Sequence, residues 1–254
     1  MTGWPAEAVW EAVSPLLPGF TVEVLPELDS TNSELMRRAR TGRLEPTLLV
    51  AQRQTAGRGR LGRGWQSDSG ASLTFSLGLP LAPADWSGLS PAVGVSLAES
   101  LDPRIQLKWP NDLWLEGRKL GGILIETASF GELGQARRYA VVGVGLNMLP
   151  RSGEGLYTPP AALSELLAQV DAGAALLRIA QPLVQTLQAF EMYGFAPFQA
   201  RFNARDALRD RAVVLSDGTA GAAHGASETG ALLVHTAGGM HVVTSSEVSV
   251  RPAA

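Results

Sequence analysis

Residues 72–79 read SLTFSLGL and alternate without a break: Leu73, Phe75, Leu77 and Leu79 on one parity, Ser72, Thr74, Ser76 and Gly78 on the other. Successive side chains of extended backbone point to opposite faces, so the pattern belongs to a strand and to no helix. The large parity predicts a core face. The small polar parity predicts a surface able to line a pocket. Residues 138–147, RYAVVGVGLN, extend the same logic. Val142, Val144 and Leu146 point one way, while Gly143, Gly145 and Asn147 point the other. A strand face stripped of side chains admits a flat ligand, or a closely packed helix, against the backbone. Periodicity alone leaves both readings open.

The rest of the chain surrounds these strands with helices and further strands. Residues 5–17 predict a short amphipathic helix, and 20–25 a strand. The segment DSTNSELMRRAR predicts a helix opened by a capping box, Thr31 with Glu34 three residues on. PTLLVAQ reads as a buried strand, and residues 86–101 as a helix. IQLKW leads to a turn at 110–112, because Pro110 holds Trp109 extended and Asn111 and Asp112 favour turns. A hairpin follows whose second arm is KLGGILIE. Two helices fill 161–204 despite Pro182. After Asp206 the texture changes to short strands, RAVVLSDG, ETGALLVH and GGMHVVTSSEVSV, separated by Asp-Gly, Thr-Gly and Gly-Gly turns. The expected class is α+β, with residues 1–205 as a larger domain and 206–254 as a small β-barrel.

Charge narrows the function. The 254 residues carry a net charge of −3, so no general basic surface for nucleic acid is expected. No cysteine is present, which excludes disulfides, thiolate metal sites and a Cys nucleophile. The histidines are His224, His235 and His241, so most of the chain has none to pair with a nucleophile or a metal. No apolar run reaches the roughly 18–20 residues of a membrane span. The start, MTGWPAEAVWEAV, lacks the basic opening of a secretory signal, and a cytoplasmic protein is expected.

Positive charge is instead local. Arginine appears nineteen times and lysine twice, and both lysines, Lys108 and Lys119, lie in KWPNDLWLEGRK. A lysine differs from arginine where a site needs a compact point charge on a thin stem. Residues 54–65, QTAGRGRLGRGW, place Arg58, Arg60 and Arg63 among four glycines. GRGRLG matches a dinucleotide-binding pattern, but loop chemistry follows it where that fingerprint needs a helix. Neither lysine has Walker-loop spacing. An Arg-bearing flexible loop can fold over a phosphate and pair with it bidentately, and Trp65 beside it can stack on a base or cover the site. Asp112 lies between the two lysines in sequence and can orient a lysine or hold magnesium.

Together these segments resemble the biotin protein ligases. GRGRLGRGW is similar to that family's signature loop, KWPNDLWLEGRKLGGILIE to its central motif, GVGLN to its later glycine strand and DSTN to its early biotin-contacting segment. The order and spacing agree across residues 25–150, and the SSEVSVRP ending fits the family's C-terminal domain more loosely. The resemblance implies a class II synthetase-like catalytic fold with a small SH3-like barrel. It implies an enzyme that joins biotin to ATP as biotinyl-adenylate, releases pyrophosphate, and passes biotin to a lysine of a carboxyl carrier protein.

The site residues also come by that resemblance. Lys119 sits between the biotin carboxylate and the α-phosphate. Arg58 and Arg60 close over biotin and adenylate, and Arg63 reaches toward the ATP phosphates. Ser30, Thr31, Asn32 and Gln54 face the ureido ring, with Gly57 and Gly122 beside the biotin. Trp65 and Asn147 serve the adenine side, with Lys108 and Asn111 on the ATP side. Asp112 orients Lys119 or the incoming amine, or holds Mg2+; the residues leave this choice open. Fewer than thirty residues precede DSTN, too few for a helix-turn-helix domain, so a ligase without DNA binding is expected, with a homodimer allowed. A lipoate ligase of related fold and a nucleic-acid module using GRGR are the competing readings.

Overall fold

The computed structural model describes residues 3–130, 138–244 and 250–252. In chain order the elements are α1 (Ala6–Val13), β1 (Thr21–Leu28), α2 (Thr31–Arg40), β2 (Thr47–Gln54), β3 (Ser72–Leu81), α3 (Leu89–Leu101), β4 (Gln106–Lys108), β5 (Asp112–Leu115), β6 (Arg118–Ser129), β7 (Arg138–Asn147), α4 (Ala172–Tyr193) and α5 (Ala196–Asn203). Five short strands end the chain: β8 (Ala212–Leu215), β9 (Ala220–Ala226), β10 (Leu232–Thr236), β11 (Gly239–Val243) and β12 (Val250–Pro252). The class is α+β. Two compact units form, Met1–Ala82 with Arg118–Gln185, and Pro83–Gly117 with Thr186–Ala254.

In the first unit, β1 runs parallel to β2, and β2, β3, β7 and β6 follow antiparallel in that order. The parity of residues 72–79 decides the layers. Leu73 lies opposite Leu146, Phe75 opposite Val144 and Leu77 opposite Val142, and all are buried. That is one face of the core. On the other face α2 sets Leu35, Met36 and Ala39 against Leu49, Tyr139 and Val141. The capping residue is Ser30, not Thr31: the Ser30 hydroxyl accepts from the Ser33 amide, and Thr31 is the first helical residue. Glu34 turns away from the helix start to Arg37 and Arg38, so the predicted box is replaced by a simple serine cap and two ion pairs.

In the second unit, β4 and β5 form a hairpin in which Lys108 lies opposite Asp112. The other edge of β4 is taken by the chain after α5: the Leu107 amide donates to the Arg205 carbonyl, and the Ala207 amide donates to the Leu107 carbonyl. Trp109 is wholly buried, and its indole donates to the Gly230 carbonyl at 2.9 Å. The terminal strands make an antiparallel sheet in the order β11-β10-β9-β8-β12. Its turns hold Gly218, Gly230 and Gly239 at φ 89°, 82° and 109°, the left-handed region that suits glycine. Residues 245–249 of the SSEVSVRP ending lie outside the described residues.

Asp206, beside Leu107, is buried with one carboxylate oxygen lacking any hydrogen-bond partner, while the other accepts from the Leu208 amide. Burial pushes its pKa up to about 6. The folded state therefore binds this proton more tightly than the unfolded chain. The favourable contribution is complete below about pH 4 and is lost as pH rises through 6, a swing on the order of 3 kcal/mol. Asp206→Asn is expected to remove that component. Subtracting its melting temperatures from the parent's between pH 4 and 8 should give a difference falling across pH 4–6.5. A flat difference would mean that Asp206 does not titrate in this range.

Candidate active site

The small parity lies on the face of the first sheet that α2 partly covers, beside the cluster of Leu49, Tyr139 and Val141. Residues directly opposite one another across antiparallel strands share a face, so Ser72 joins Asn147, Thr74 joins Gly145 and Gly122, and Ser76 joins Gly143 and Leu124. A Cβ on Gly143 would strike the Asn32 carboxamide, and one on Gly145 would strike the Trp65 ring. The glycines thus let a helix-start amide and an indole sink onto the sheet. Of the two readings left open by periodicity, close packing is the one seen: the start of α2 covers Gly143, and the chain's own Trp65 ring lies on Gly145.

At one end of this face stands the start of α2. Ser30, Thr31, Asn32 and Gln54 are all buried. The Gln54 side-chain carbonyl accepts from the Thr31 amide at 2.7 Å and the Thr31 hydroxyl at 3.1 Å. The Ser76 hydroxyl lies 2.7 Å from the Thr31 hydroxyl and 2.6 Å from the Asn32 carbonyl. The Asn32 amide donates to the Leu124 carbonyl at 3.1 Å and to Glu126 at 3.0 Å. Asp29, preceding this cluster, is held at a pKa of about 2 chiefly by Arg37, and it accepts from the Ser30 amide. The Asp29 carbonyl accepts from Ala56, which ties the root of the Arg-Gly loop to the same place.

The loop folds back on itself. Arg58 bridges to Gly64, the Gly59 amide donates to Arg63 at 2.7 Å, and the Trp65 amide donates to Gly57 at 2.8 Å. A tight turn at Arg60–Gly62 places Leu61 at φ 55° and Gly62 at φ 71°. Gly57 is required for space, since a Cβ there would strike the Trp65 carbonyl. Gly64 has open space around it, so its value is freedom. Arg58 reaches out of the loop to Glu126 at 2.5 Å and to the Ser33 hydroxyl at 3.0 Å. Arg60 and Arg63 lie at the loop's far turn.

At the other end of the face, three buried polar atoms lack a partner: Trp65 Nε1, Asn147 Oδ1 and Arg151 Nε. The Arg151 guanidinium lies 5.4 Å from the centre of the Trp65 ring, and burial lowers its pKa. A buried polar group without a partner costs about 1–3 kcal/mol, which a ligand can recover. The Asn147 amide group is already committed, donating to the carbonyls of Lys119 at 3.1 Å and Ala161 at 3.0 Å. Lys119 is pinned further, its amide donating to Pro159 and its carbonyl accepting from Ala161, both at 2.8 Å. Asn147 therefore clamps the backbone of the predicted catalytic lysine through one end of its amide and offers the other.

Lys108, Asn111 and Asp112 belong to the second unit. They lie on and beside the β4–β5 turn, with the Lys108 ammonium 5.4 Å from the Trp114 ring centre. Among the described residues no three potential His, Cys, Asp or Glu metal ligands gather. Sequence reading passed over Ser76, Glu126 and Arg151. Ser76 was visible as part of the small parity. Glu126 was the one acid ending KLGGILIE, two residues beyond Leu124 and on the same face. Arg151 carried no sequence signal.

The family described as Biotin/lipoate A/B protein ligase matches residues 24–147. The bifunctional ligase/repressor BirA of Escherichia coli is 36% identical over 249 residues, covering 93% of this chain and 76% of that protein. The biotin–[acetyl-CoA-carboxylase] ligase of Paracoccus denitrificans is 32% identical over 243 residues, covering 89% of this chain and 98% of that one. Among solved structures, the biotin protein ligase of Aquifex aeolicus in complex with biotin and ATP superposes with a TM-score of 0.76 at 30% identity, covering 91% of this chain and 99% of the other.

Proposed function

The chain belongs to the biotin protein ligase family, and from that premise we propose how its own residues carry the reaction. The protein is an ATP-dependent ligase. A biotin carboxylate oxygen attacks the α-phosphorus of ATP, and the bond to pyrophosphate breaks. A carrier lysine amine then attacks the acyl carbon of the biotinyl-adenylate, and AMP leaves. The acceptor is a carrier protein of a carboxylase.

Two anions must meet in the first step, so fixed cations lower its barrier, by roughly 3–4 kcal/mol for one well-placed donor. We assign that place to Lys119, with Arg58 and Arg60 closing from the loop and Arg63 toward the outer phosphates. The ureido ring of biotin needs donors and acceptors together, which the buried cluster of Ser30, Thr31, Asn32 and Gln54 supplies beside Gly57 and Gly122. Adenine is assigned to Trp65 and Asn147, with Lys108 and Asn111 serving ATP. Magnesium enters as part of the ATP substrate. Such ions keep waters and phosphate oxygens with one or two protein carboxylates, and Asp112 fits that single role as well as it fits orienting Lys119.

In functional terms residues 1–205 are the catalytic domain and 206–254 a small accessory β domain. The protein acts in the cytoplasm on a carrier domain and not on DNA. Among the described residues no helix is long and apolar enough to cross a membrane.

The observation that best supports the site is its paired equipment. One sheet face, kept low by Gly122, Gly143 and Gly145, is bounded by a satisfied polar cluster and by unsatisfied Trp65 Nε1 and Asn147 Oδ1. Biotin-dependent exchange of labelled pyrophosphate into ATP tests the reading. Exchange driven by lipoate and not biotin would move the protein to the other branch of the family. Arg60→Gly is expected to leave a loop that closes poorly, so that biotinyl-adenylate escapes and labels lysines of a bystander such as albumin. Bystander labelling at the parent's level would remove Arg60 from the clamp.

A further inference from the structure

We infer that Glu126 is a positioning residue that couples the biotin-ring end of the site to the Arg-Gly loop. The inference rests on the site reading proposed above. Glu126 is on β6, on the same face as Gly122 and Leu124, opposite the uncharged Val141 of β7. Its two carboxylate oxygens serve different parts of the molecule. Oε2 accepts from the Asn32 amide at 3.0 Å, inside the buried cluster at the start of α2. Oε1 accepts from the Arg58 guanidinium at 2.5 Å, on the loop. The other arm of Arg58 donates to the hydroxyl of Ser33, again on α2.

The connection continues through the backbone. Arg58 bridges to Gly64, and Trp65 follows and donates to Gly57, so Arg58 and Trp65 ride on one small ribbon. A chain of direct bonds therefore runs from Asn32 through Glu126 and Arg58 to the loop that lays Trp65 on Gly145. A charge-assisted bond is shorter and stronger than a neutral one. Its other partner is fixed, because the Asn32 carboxamide is held by Leu124 and Ser76 as well. Glu126 thus sets where Arg58, and with it the loop, lies when biotin arrives.

A merely structural ion pair makes a different prediction. Arg58 is 46% exposed, so the pair adds little to stability, and its loss should be hard to see in a melt. Glu126→Gln separates the two functions. The glutamine carbonyl still accepts from Asn32, but no charge remains for Arg58. The melting temperature is expected to stay within about 2 °C of the parent's. In pyrophosphate exchange the KM for biotin should rise about ten-fold, the scale of one coupled pair of neighbours. The KM for ATP should move far less.

In an Arg58→Met background the same substitution should add almost nothing, because the link is already cut. Glu126→Asp keeps the charge, drawn back by one methylene, and should fall between parent and Gln; it also serves if the Gln variant folds poorly. An unchanged or lowered biotin KM, effects that multiply in the double variant, or an Asp variant no better than Gln would each overturn the inference. A parent without biotin-dependent exchange overturns the site reading and this inference with it. An active parent with an indifferent Glu126 overturns the inference alone.

Discussion

Lys119→Arg is expected to lower biotin-dependent pyrophosphate exchange by about 100-fold or more, while leaving the melting temperature near the parent's. The fold should survive because this stretch is gripped at the Lys119 main chain: its amide donates to the Pro159 carbonyl, and its carbonyl accepts from the Ala161 amide and the Asn147 side chain. None depends on the Lys119 side chain. The same bonds make the loss severe. A guanidinium is wider and planar, and a backbone gripped on both sides cannot retreat to put its charge where an ammonium stood. Small displacements of a fixed charge cost rate steeply. Exchange within a few-fold of the parent, in a variant with a parental melt, would remove Lys119 from the reaction.

Deletion of residues 207–254 is expected to unfold the second compact unit, a larger effect than any side-chain change. That unit contains the β4–β5 hairpin as well as the terminal strands. Without the deleted part, the buried Trp109 indole loses the Gly230 carbonyl, Leu107 loses its bond from Ala207, and the Asn203 side chain loses both its bonds at Ala226. The buried Phe195 ring, which lies against Gly230, would meet water. Exposing even one fully buried aromatic side chain costs about 1.5–3 kcal/mol, and whole domains have only about 5–15. Lys108, Asn111 and Asp112, proposed above to serve ATP, share that unit, so on that proposal adenylation is expected to fail with it. Hydrogen exchange would localise the loss. A truncate that melts cooperatively and protects amides of α3 and α5 would contradict this account.

Much of the site was legible because it is built from local rules. The parity of 72–79 placed Ser76 and Thr74 on the face that receives Asn32 and Trp65, and the parity of 142–147 placed Gly143 and Gly145 under them. Strand alternation needs no knowledge of partners. The glycines of the Arg-Gly loop were legible as a loop, though not why each is glycine: Gly57 answers to a carbonyl contact and Gly62 to its φ. The helix cap was misplaced by one residue, since Ser30 and Thr31 are both capable caps. What settled it was Gln54, twenty-three residues on, which takes the Thr31 hydroxyl and amide. β9 was missed altogether. AGAAHGA has weak strand propensity, and it is extended because β8 and β10 pair with it on both sides.

The sequence by itself determined the strands of the first sheet with their large and small faces, the cationic loop and the family, because alternation, glycine placement and charge are properties of consecutive residues. Tertiary structure alone decided which groups meet. It joined Glu126 to both Asn32 and Arg58, aimed the Asn147 amide at the Lys119 carbonyl, and left Trp65 Nε1 and Asn147 Oδ1 buried without partners. It also put the hairpin of 106–115 with the terminal strands in one compact unit. Hydrogen bonds and ion pairs between residues far apart in sequence depend on register and on ångström-scale distances, and no pattern of neighbours along the chain encodes those directly.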